Sequence, residues 1–254
     1  MLQKRRLITV FMIVLVDLIG FGLILPLLPY YATNFGATPT VVGLLTASYA
    51  AAQFLSAPVL GRLSDRKGRR PVLLISIFGT ATGFLLLGFA EPLGKALATG
   101  VLGEPAVETT GLFVLGVLFF SRVLAGLTGG NISVAQAYIT DITDQENRAR
   151  GLGLIGAAFG LGFIIGPAIG GTLSAGERYA VPAFAAAGLA TLNWLAVLFL
   201  LPESLTAEIK AQVAALPARS WFSVGELIRA LGRPRFGPLL TVRLFYGLAF
   251  ATFT

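Results

Sequence analysis

Two charged side chains stand inside long apolar segments of this sequence: Asp17 lies in the first segment and Arg122 in the fourth. An ionisable side chain in a bilayer costs about 3 kcal/mol or more, so it usually faces a bundle interior and either pairs or works. A carboxylate there can take up and release a proton, and a guanidinium close by would control that exchange. Three interpretations are open: proton exchange, a purely structural ion pair, or two residues that make no contact.

The elements that must position these residues are long apolar helices. The chain is 56% hydrophobic and only 12% charged, whereas soluble domains contain about 25% charged residues. A run of about 20 apolar residues is long enough to cross a bilayer as a helix. We predict an all-α integral membrane protein with a six-helix bundle and the start of a seventh helix, with spans at 7–30, 41–60, 71–90, 111–139, 151–172, 180–201 and 237 onward.

This layout divides the chain into three parts. Residues 1–201 form the bundle, residues 202–236 form a linker and residues 237–254 form the incomplete seventh helix. The linker contains apolar residues at helical spacing behind a candidate capping box, which predicts an amphipathic helix; a simple tether is the alternative. The residues of this predicted helix are Trp221, Ser223, Val224, Glu226, Leu227, Ile228 and Leu231.

The six spans also divide into two sets of three, and each set opens with a helix that carries one charge. Two such sets of inverted topology, with a site at their interface, are typical of transporters. Residues 91–110 contain Pro, Gly and Glu at intervals and are predicted to form an outer loop rather than a span.

Lys and Arg are distributed unequally over the two ends of the spans. Fifteen of them fall in one set of alternate segments, and only Lys95 and Arg178 fall in the other. Because positive residues are retained in the cytoplasm, we predict a multi-pass protein of the cell membrane with a cytoplasmic N-terminus.

Composition argues against several other classes of function. The chain contains neither Cys nor His, which removes disulfides, thiol metal sites and the usual near-neutral proton carrier. The net charge of +7 has little soluble surface on which to form a nucleic-acid site. No metal cluster, nucleotide loop or nucleophile–base pair is apparent, so we expect neither an enzyme nor a bound cofactor.

The densest charge lies in the sequence GRLSDRKGRR at residues 61–70. Gly61 and Gly68 permit a tight turn and close helix approach, and Asp65 could cap the N-terminus of a neighbouring helix. A solvated turn that only fixes topology would need the positive charges but not an acid and two glycines. The remaining charges of this stretch are Arg62, Arg66, Lys67, Arg69 and Arg70, of which Arg66, Arg69 and Arg70 are candidate functional residues.

Polar and small residues also share faces within the spans. On the fourth span one such face suits the wall of a water-filled cavity, and a second face lies on span two; bonding to a neighbouring helix is the alternative. The candidate cavity residues are Arg122, Gly126, Gly129, Ser133 and Gln136 on span four, and Tyr49, Gln53 and Ser56 on span two.

The fifth span carries glycines four residues apart, which let helices approach closely, and a proline that permits a bend. Close packing and a flexible seal against ion leak are equally compatible with this pattern. Its residues are Gly156, Gly160, Gly162, Gly166, Pro167, Gly170 and Gly171.

Several of these stretches, in this order, resemble the major facilitator superfamily. Residues 61–70 are similar to its loop motif, and DLIGFGLILPLLP from Asp17 resembles the first helix of its drug–proton antiporters. Residues 121–150 resemble the fourth helix and following loop of tetracycline-efflux-type members. GAAFGLGFIIGPAIGG at 156–171 resembles the fifth-helix antiporter motif, and LPES at 201–204 stands where such members leave their sixth helix.

The resemblance implies a secondary transporter that exports a small drug-like molecule or metabolite in exchange for protons, with the proton gradient as its energy source. Asp17 and Arg122 would couple the proton, and residues 61–70 would latch the cytoplasmic side. Two features depart from the tetracycline exporters: residues 91–110 are long, and span 71–90 has no acid.

The chain is then expected to be the N-terminal half of a twelve-helix protein in the lipid bilayer, without its C-terminal six helices. The alternatives are an importer or uniporter of sugars or other solutes, and a truncated half that transports nothing until a separate C-terminal half completes it.

Overall fold

The computed structural model describes residues 2–176 and 178–206, together with Pro238, Thr241 and Val242. In this part of the chain the regular structure is helical and includes no strand, which confirms the all-α prediction. The predicted linker beyond residue 206, and the seventh span apart from those three residues, lie outside the described residues. The helices are α1 Leu2–Ile24, α2 Leu28–Thr33, α3 Pro39–Lys67, α4 Arg69–Gly88, α5 Ala90–Leu102, α6 Val107–Thr128, α7 Asn131–Ile142, α8 Gln145–Leu173 and α9 Ala180–Leu200.

Six stretches of these helices are long and apolar enough to cross a membrane, as the sequence predicts. Two of them are built from consecutive helices, α1 with α2 and α6 with α7. Their bounds are Lys4–Thr33, Pro39–Lys67, Arg69–Gly88, Val107–Ile142, Gln145–Leu173 and Ala180–Leu200.

The packing of the helices follows the predicted division into two sets of three. From the first set, α1 packs on α8 and α9 of the second set. From the second set, α6 packs on α3 and α4 of the first set, while α4 and α9 pack on each other. Exchanging each helix for its counterpart in the other set maps these pairs onto one another. This exchange is the pattern expected of a pseudo-two-fold repeat.

Two apolar clusters form the core, one toward each end of the bundle. The cluster nearer the charged residues 61–70 includes Val14, Leu18 and Val134, and the other includes Leu23 and Leu118. Between residues of one cluster and residues of the other lie Tyr49, Gln53, Thr80 and Arg122 on their segments, and Asp17 directly precedes Leu18, the last buried α1 residue of the cluster nearer residues 61–70. The bundle thus places a polar layer between two apolar layers.

Residues 91–110 depart from the predicted outer loop, because α5 occupies Ala90–Leu102 and packs on α6. Pro92 is the third residue of α5, where a helix needs no N–H from the residue. Gly94 lies against α6 so closely that a Cβ atom would come within 2.6 Å of the Val114 Cα. The proline and glycine that suggested a loop are therefore a first-turn residue and a packing residue.

Two further boundaries differ from the prediction. The stretch 61–70 is mostly helical, since α3 continues to Lys67 and a single residue, Gly68, separates it from α4. The predicted span 111–139 is divided, since α6 ends at Thr128 and α7 begins at Asn131. Two successive glycines, Gly129 and Gly130, allow this break because they constrain the backbone least.

Candidate functional site

The Asp17 carboxylate lies in the polar layer and is bound by a residue from the break in the fourth span. The Asn131 side-chain amide donates a 2.5 Å hydrogen bond to Asp17 Oδ2. Asp17 Oδ1 is buried and has no hydrogen-bond partner among the described residues. Asn131 is the first residue of α7, and its own Oδ1 accepts a hydrogen bond from the Ile132 N–H. The helix break therefore aims the amide across the bundle at α1.

A cleft of about 620 Å³, including its open mouth, surrounds this pair. Its wall combines a few polar groups with apolar and aromatic side chains, a combination typical of sites for small organic ligands. The lining residues come from α1, α3, α4, α6, α7 and α8: Asp17, Leu18, Phe21, Tyr49, Gln53, Thr80, Phe84, Ala125, Asn131, Ile132 and Phe159.

Arg122 is buried in the same layer but is not ion-paired with Asp17. Its guanidinium carbon lies 5.9 Å from the centre of the Tyr49 ring and 5.7 Å from that of Phe84, a distance at which a cation is attracted to the ring faces. Its Nε and Nη2 atoms have no hydrogen-bond partner among the described residues. Of the three interpretations of the two charges, a direct structural ion pair is not formed in this structure.

The predicted cavity residues of span two lie where α3 faces the break. Gln53 donates to the Gly129 carbonyl at 2.8 Å and to the Tyr49 hydroxyl at 3.2 Å, so it holds one side of the cleft against α6. Ser56 donates to the Gly126 carbonyl at 3.0 Å. Both thus bond a neighbouring helix, and Tyr49 and Gln53 also line the cleft.

The predicted face of span four is divided by the break. Ser133 donates to the Gly130 carbonyl at 2.8 Å, and Gln136 is exposed on α7. Neither of them is among the described residues that line the cleft, and Gly129 contributes its carbonyl to Gln53 instead. If span four were one continuous helix, Ser133 and Gln136 would share a face with Arg122.

A second polar cluster ties four segments together at the end of the bundle that carries residues 61–70. Its centre is Arg69, which is 8% exposed. Arg69 Nε lies 2.9 Å from Asp141 Oδ2 on α7, and Arg69 Nη1 lies 2.5 Å from Asp65 and 2.7 Å from Ser64 on α3. Ser204, beyond α9, donates to the same Asp141 oxygen at 2.9 Å.

The N-terminus of α4 is capped by Glu203 rather than by Asp65, which corrects the sequence interpretation. Glu203 Oε1 accepts hydrogen bonds from the backbone N–H groups of Arg69 at 2.9 Å and Ser204 at 3.0 Å. Asp65 lies on α3 one turn before Arg69, and it pairs with that side chain instead. A carboxylate at a helix N-terminus is favoured by the helix dipole.

The other residues of the charged motif have separate surroundings. Gly68 has a φ of +113°, which side-chain-bearing residues rarely adopt, and Gly61 lies within α3 where a Cβ would meet nothing within 4 Å. Arg66 is exposed, and Arg70 Nη2 donates to the Leu198 carbonyl of α9 at 2.5 Å. Of the two glycines, only Gly68 makes a turn.

The glycines of α8 fall on two faces. A Cβ on Gly166 would lie 2.7 Å from Gly22 Cα, and one on Gly170 would lie 2.6 Å from the Leu23 carbonyl oxygen. A Cβ on Gly162 would lie 2.6 Å from the Leu18 Cβ, and Pro167 lies beside Gly22. Around Gly156, Gly160 and Gly171 a Cβ would meet nothing within 4 Å. One face packs on α1 and the other is open within the described part of the chain.

Among the residues that sequence reasoning did not select, three make central contacts in these sites: Asn131, Asp141 and Glu203. Each has a visible signal. Asn131 is an amide inside an apolar span, directly after two glycines that can break a helix. Asp141 and Glu203 are the first acids after spans four and six, at the end that carries most of the positive charge.

The chain resembles known proteins over most of its described length. The family model of the Major Facilitator Superfamily matches residues 10–254. The class C tetracycline resistance protein of Escherichia coli is 38% identical over 245 residues, which cover 95% of this chain and 55% of that protein. The class B protein, also of Escherichia coli, is 37% identical over 195 residues, or 76% of this chain and 43% of that protein.

Among solved structures, the crystal structure of the human organic anion transporter MFSD10 (TETRAN) matches with a TM-score of 0.60 and 28% identity. The match covers 81% of this chain and 49% of that one. The chain therefore spans about half the length of the relatives it matches.

Proposed function

This chain belongs to the major facilitator superfamily of membrane transporters, and from that premise we propose that it exports a drug-like or small metabolite molecule in exchange for protons. The substrate crosses unchanged, and the proton gradient supplies the energy without a bound cofactor. Substrate and proton use the Asp17 cleft in turn, and alternating access exposes that cleft to each side of the membrane.

The surroundings of Asp17 are the observation that carries this proposal. The carboxylate stands in an open cleft at mid-bundle, with one oxygen bound by Asn131 and the other without a partner. An acid in this position can exchange a proton with a water-filled cavity, and a substrate in the cleft would change its access to water. The similarity to tetracycline resistance proteins supports export of an aromatic polycyclic drug as one substrate class.

The Arg69 cluster supports a latch at the end that we assign to the cytoplasm. Arg69 holds Asp65, Asp141 and Ser64 together, and Glu203 caps α4 beside it. Charged contacts of this kind can exist in one transport state and be broken in the other. The excess of Lys and Arg at this end supports a cytoplasmic N-terminus in the cell membrane.

The chain's relatives are about twice its length, and we propose that transport requires a second set of six helices. The open glycine face of α8, with Gly156 and Gly160, is one surface against which such a helix could pack closely. The cleft would then acquire its remaining wall from the second half.

A second substrate class is favoured by Arg122. Its guanidinium lies against the Tyr49 and Phe84 rings, and Nε and Nη2 have no partner among the described residues. Arg122 is not among the described residues that line the cleft, but the two rings that it contacts are. A cation beside the cleft favours an anionic substrate, and one structural neighbour is named as an organic anion transporter. Tetracycline and an aromatic carboxylate are therefore the two probes to compare.

The test is substrate-dependent proton flux in everted vesicles that contain the whole chain, alone or co-expressed with the C-terminal half of the class C relative. Asp17→Asn is the test variant, and Asp144→Asn, at an acid outside the cleft, is the matched control. Antiport predicts a flux that Asp17→Asn abolishes and Asp144→Asn leaves intact.

The other outcomes separate the alternatives. Substrate movement that needs no proton and survives Asp17→Asn would indicate an importer or uniporter. Flux that appears only with the C-terminal half would identify the chain as an incomplete transporter. No flux from well-inserted protein in either arrangement would contradict the proposal.

A further inference from the structure

A second cleft lies away from the Asp17 site, at the end of the bundle where α1 begins and α9 ends. Its volume is about 830 Å³ including its open mouth. Residues of α1, α4 and α9 form it, and they combine positive charge with an apolar wall. The lining residues are Arg5, Arg6, Thr9, Arg70, Phe199, Leu200, Leu201 and Pro202.

The described residues that line this cleft carry positive charge only. None of the described lining residues is an acid. Two acids of the Arg69 cluster have partners there: Asp141 binds the Arg69 guanidinium, and Glu203 accepts the Arg69 and Ser204 backbone N–H groups. Three arginines therefore line one cavity whose described wall contains no carboxylate.

Arg70 adds a second, independent observation. Its Nη2 is held by the Leu198 carbonyl, which fixes the direction of the side chain. Its Nε is buried and has no hydrogen-bond partner among the described residues. A buried N–H without an acceptor is costly, so the side chain of this lining residue has hydrogen-bonding capacity that the described residues do not meet.

The other wall of the cleft is apolar and turned outward. Phe199 is 76% exposed and Leu200 is 60% exposed, and both lie in the last turn of a membrane-spanning helix. Leu201 is buried beside them. Since Lys4 begins one candidate span and Leu200 ends another, we assign the arginines to the depth of the lipid headgroups and the two exposed side chains to the edge of the hydrocarbon.

We propose that this cleft binds the phosphate of an anionic phospholipid, with an acyl chain against Phe199 and Leu200. Guanidinium groups bind phosphate oxygens through paired hydrogen bonds, and basic pockets between spans suit acidic headgroups. A free phosphate ion would use the arginines but not the exposed apolar wall. The inference requires a membrane protein but neither proton coupling nor a particular substrate.

The test measures lipid binding to the whole purified chain by native mass spectrometry, with dioleoyl phosphatidylglycerol and dioleoyl phosphatidylcholine as probes. The double variant Arg5→Gln/Arg6→Gln should weaken phosphatidylglycerol binding about thirtyfold, at about 1 kcal/mol for each arginine. The control Arg148→Gln/Arg150→Gln removes the same charge from the same end of the bundle and should leave that affinity within about twofold.

Loss of positive charge could also change how the chain inserts into the membrane, so a second variant that keeps the positive charge is needed. Thr9→Glu places an acid in the cleft and keeps every Lys and Arg, and it should also weaken phosphatidylglycerol binding. Gln145→Glu, which adds an acid at the same end but outside the cleft, should not.

Equal affinity for the two lipids, or equal losses in test and control variants, would overturn the proposal. Displacement of phosphatidylglycerol by millimolar inorganic phosphate would overturn it in favour of a site for the free ion.

Discussion

The Asn131 amide donates a 2.5 Å hydrogen bond to the Asp17 carboxylate across the interior of the bundle. The two residues are 114 positions apart, and the contact exists because the fourth span breaks directly before Asn131. The second carboxylate oxygen has no partner among the described residues. Asn131 therefore fixes the orientation of the carboxylate and leaves its other oxygen without a hydrogen bond among the described residues.

We expect Asn131→Ala to reduce substrate-dependent proton flux about tenfold. The change leaves a buried carboxylate without its donor, which costs about 1–3 kcal/mol, and the side chain loses its fixed direction. The flux assay in everted vesicles measures this. Gln136→Ala, at an exposed amide on the same helix, is the matched control and should retain flux.

If Asn131→Ala transports normally, transport does not require the orientation that Asn131 gives to the Asp17 carboxylate. If it fails to insert, its flux must be compared with that of Asn193→Ala, which removes another buried amide. Asn193 donates to the Ile13 carbonyl at 2.9 Å and does not line the cleft. A shared failure would mean that both amides serve the fold alone.

The ion pair at Arg69 should contribute to stability, whereas the pair at Lys95 should not. Asp141 is 20% exposed and binds a buried guanidinium, while Glu91 is 46% exposed beside an exposed Lys95. Removing one partner of a buried pair costs about 3 kcal/mol, and an exposed pair contributes about 0.5 kcal/mol or less. Asp141→Asn should therefore lower the thermal unfolding temperature of the purified chain, and Glu91→Gln should leave it unchanged.

The sequence predicts the spans because each is a long apolar run; charged residues separate most of these runs, and Pro, Asn and Gly separate the first two. It also predicts which charges lie within the bilayer, since Asp17 and Arg122 stand alone in such runs. It does not predict what these two residues touch. Each contact depends on where another span lies, and on a break at Gly129 and Gly130 that apolar periodicity does not show.

The role of Glu203 is a further example of long-range placement. Sequence spacing suggested that the nearby Asp65 would cap a helix, because local pairs are the ones that spacing reveals. The cap instead comes from 134 residues away, where α9 ends beside the start of α4. Only the packing of α4 on α9 brings those ends together.

The two faces of α8 should respond differently to added methyl groups. A Cβ on Gly166 would lie 2.7 Å from Gly22 Cα, whereas one on Gly156 would meet nothing within 4 Å. Gly166→Ala must push α8 away from α1, and overpacking of this kind costs about 1–3 kcal/mol. We expect Gly166→Ala to lower the unfolding temperature and Gly156→Ala to leave it unchanged. Equal effects would mean that α1 and α8 do not pack through these glycines.

The turn at Gly68 should require glycine, and Gly61 should not. Gly68 has a φ of +113°, and a side chain in such a conformation costs about 1–3 kcal/mol. Gly61 lies in helix α3 with open space around it, where alanine is the better helix former. Gly68→Ala should lower the unfolding temperature, and Gly61→Ala should keep or raise it; the reverse order would contradict the one-residue turn.

The start of α8 should lose stability in acid. Asp144 is the N-cap of this helix, and its carboxylate accepts the backbone N–H of Asn147 at 2.9 Å and the Asn147 side-chain amide at 2.8 Å. These two hydrogen bonds lower the pKa of Asp144 in the folded protein. Because the folded pKa lies below the unfolded value of about 3.9, the stabilisation is complete above that value and is lost as the pH falls through the folded pKa.

Amide hydrogen exchange in the first turn of α8 measures this loss. Protection there should decline on acidification in the wild-type chain once exchange is corrected for its intrinsic pH dependence. Asp144→Asn keeps a capping oxygen but no ionisable group, so its protection should stay independent of pH over the same range. Asp144→Ala should be poorly protected at every pH, because alanine offers the N–H groups no acceptor. A pH response that persists in Asp144→Asn would assign the effect to another acid.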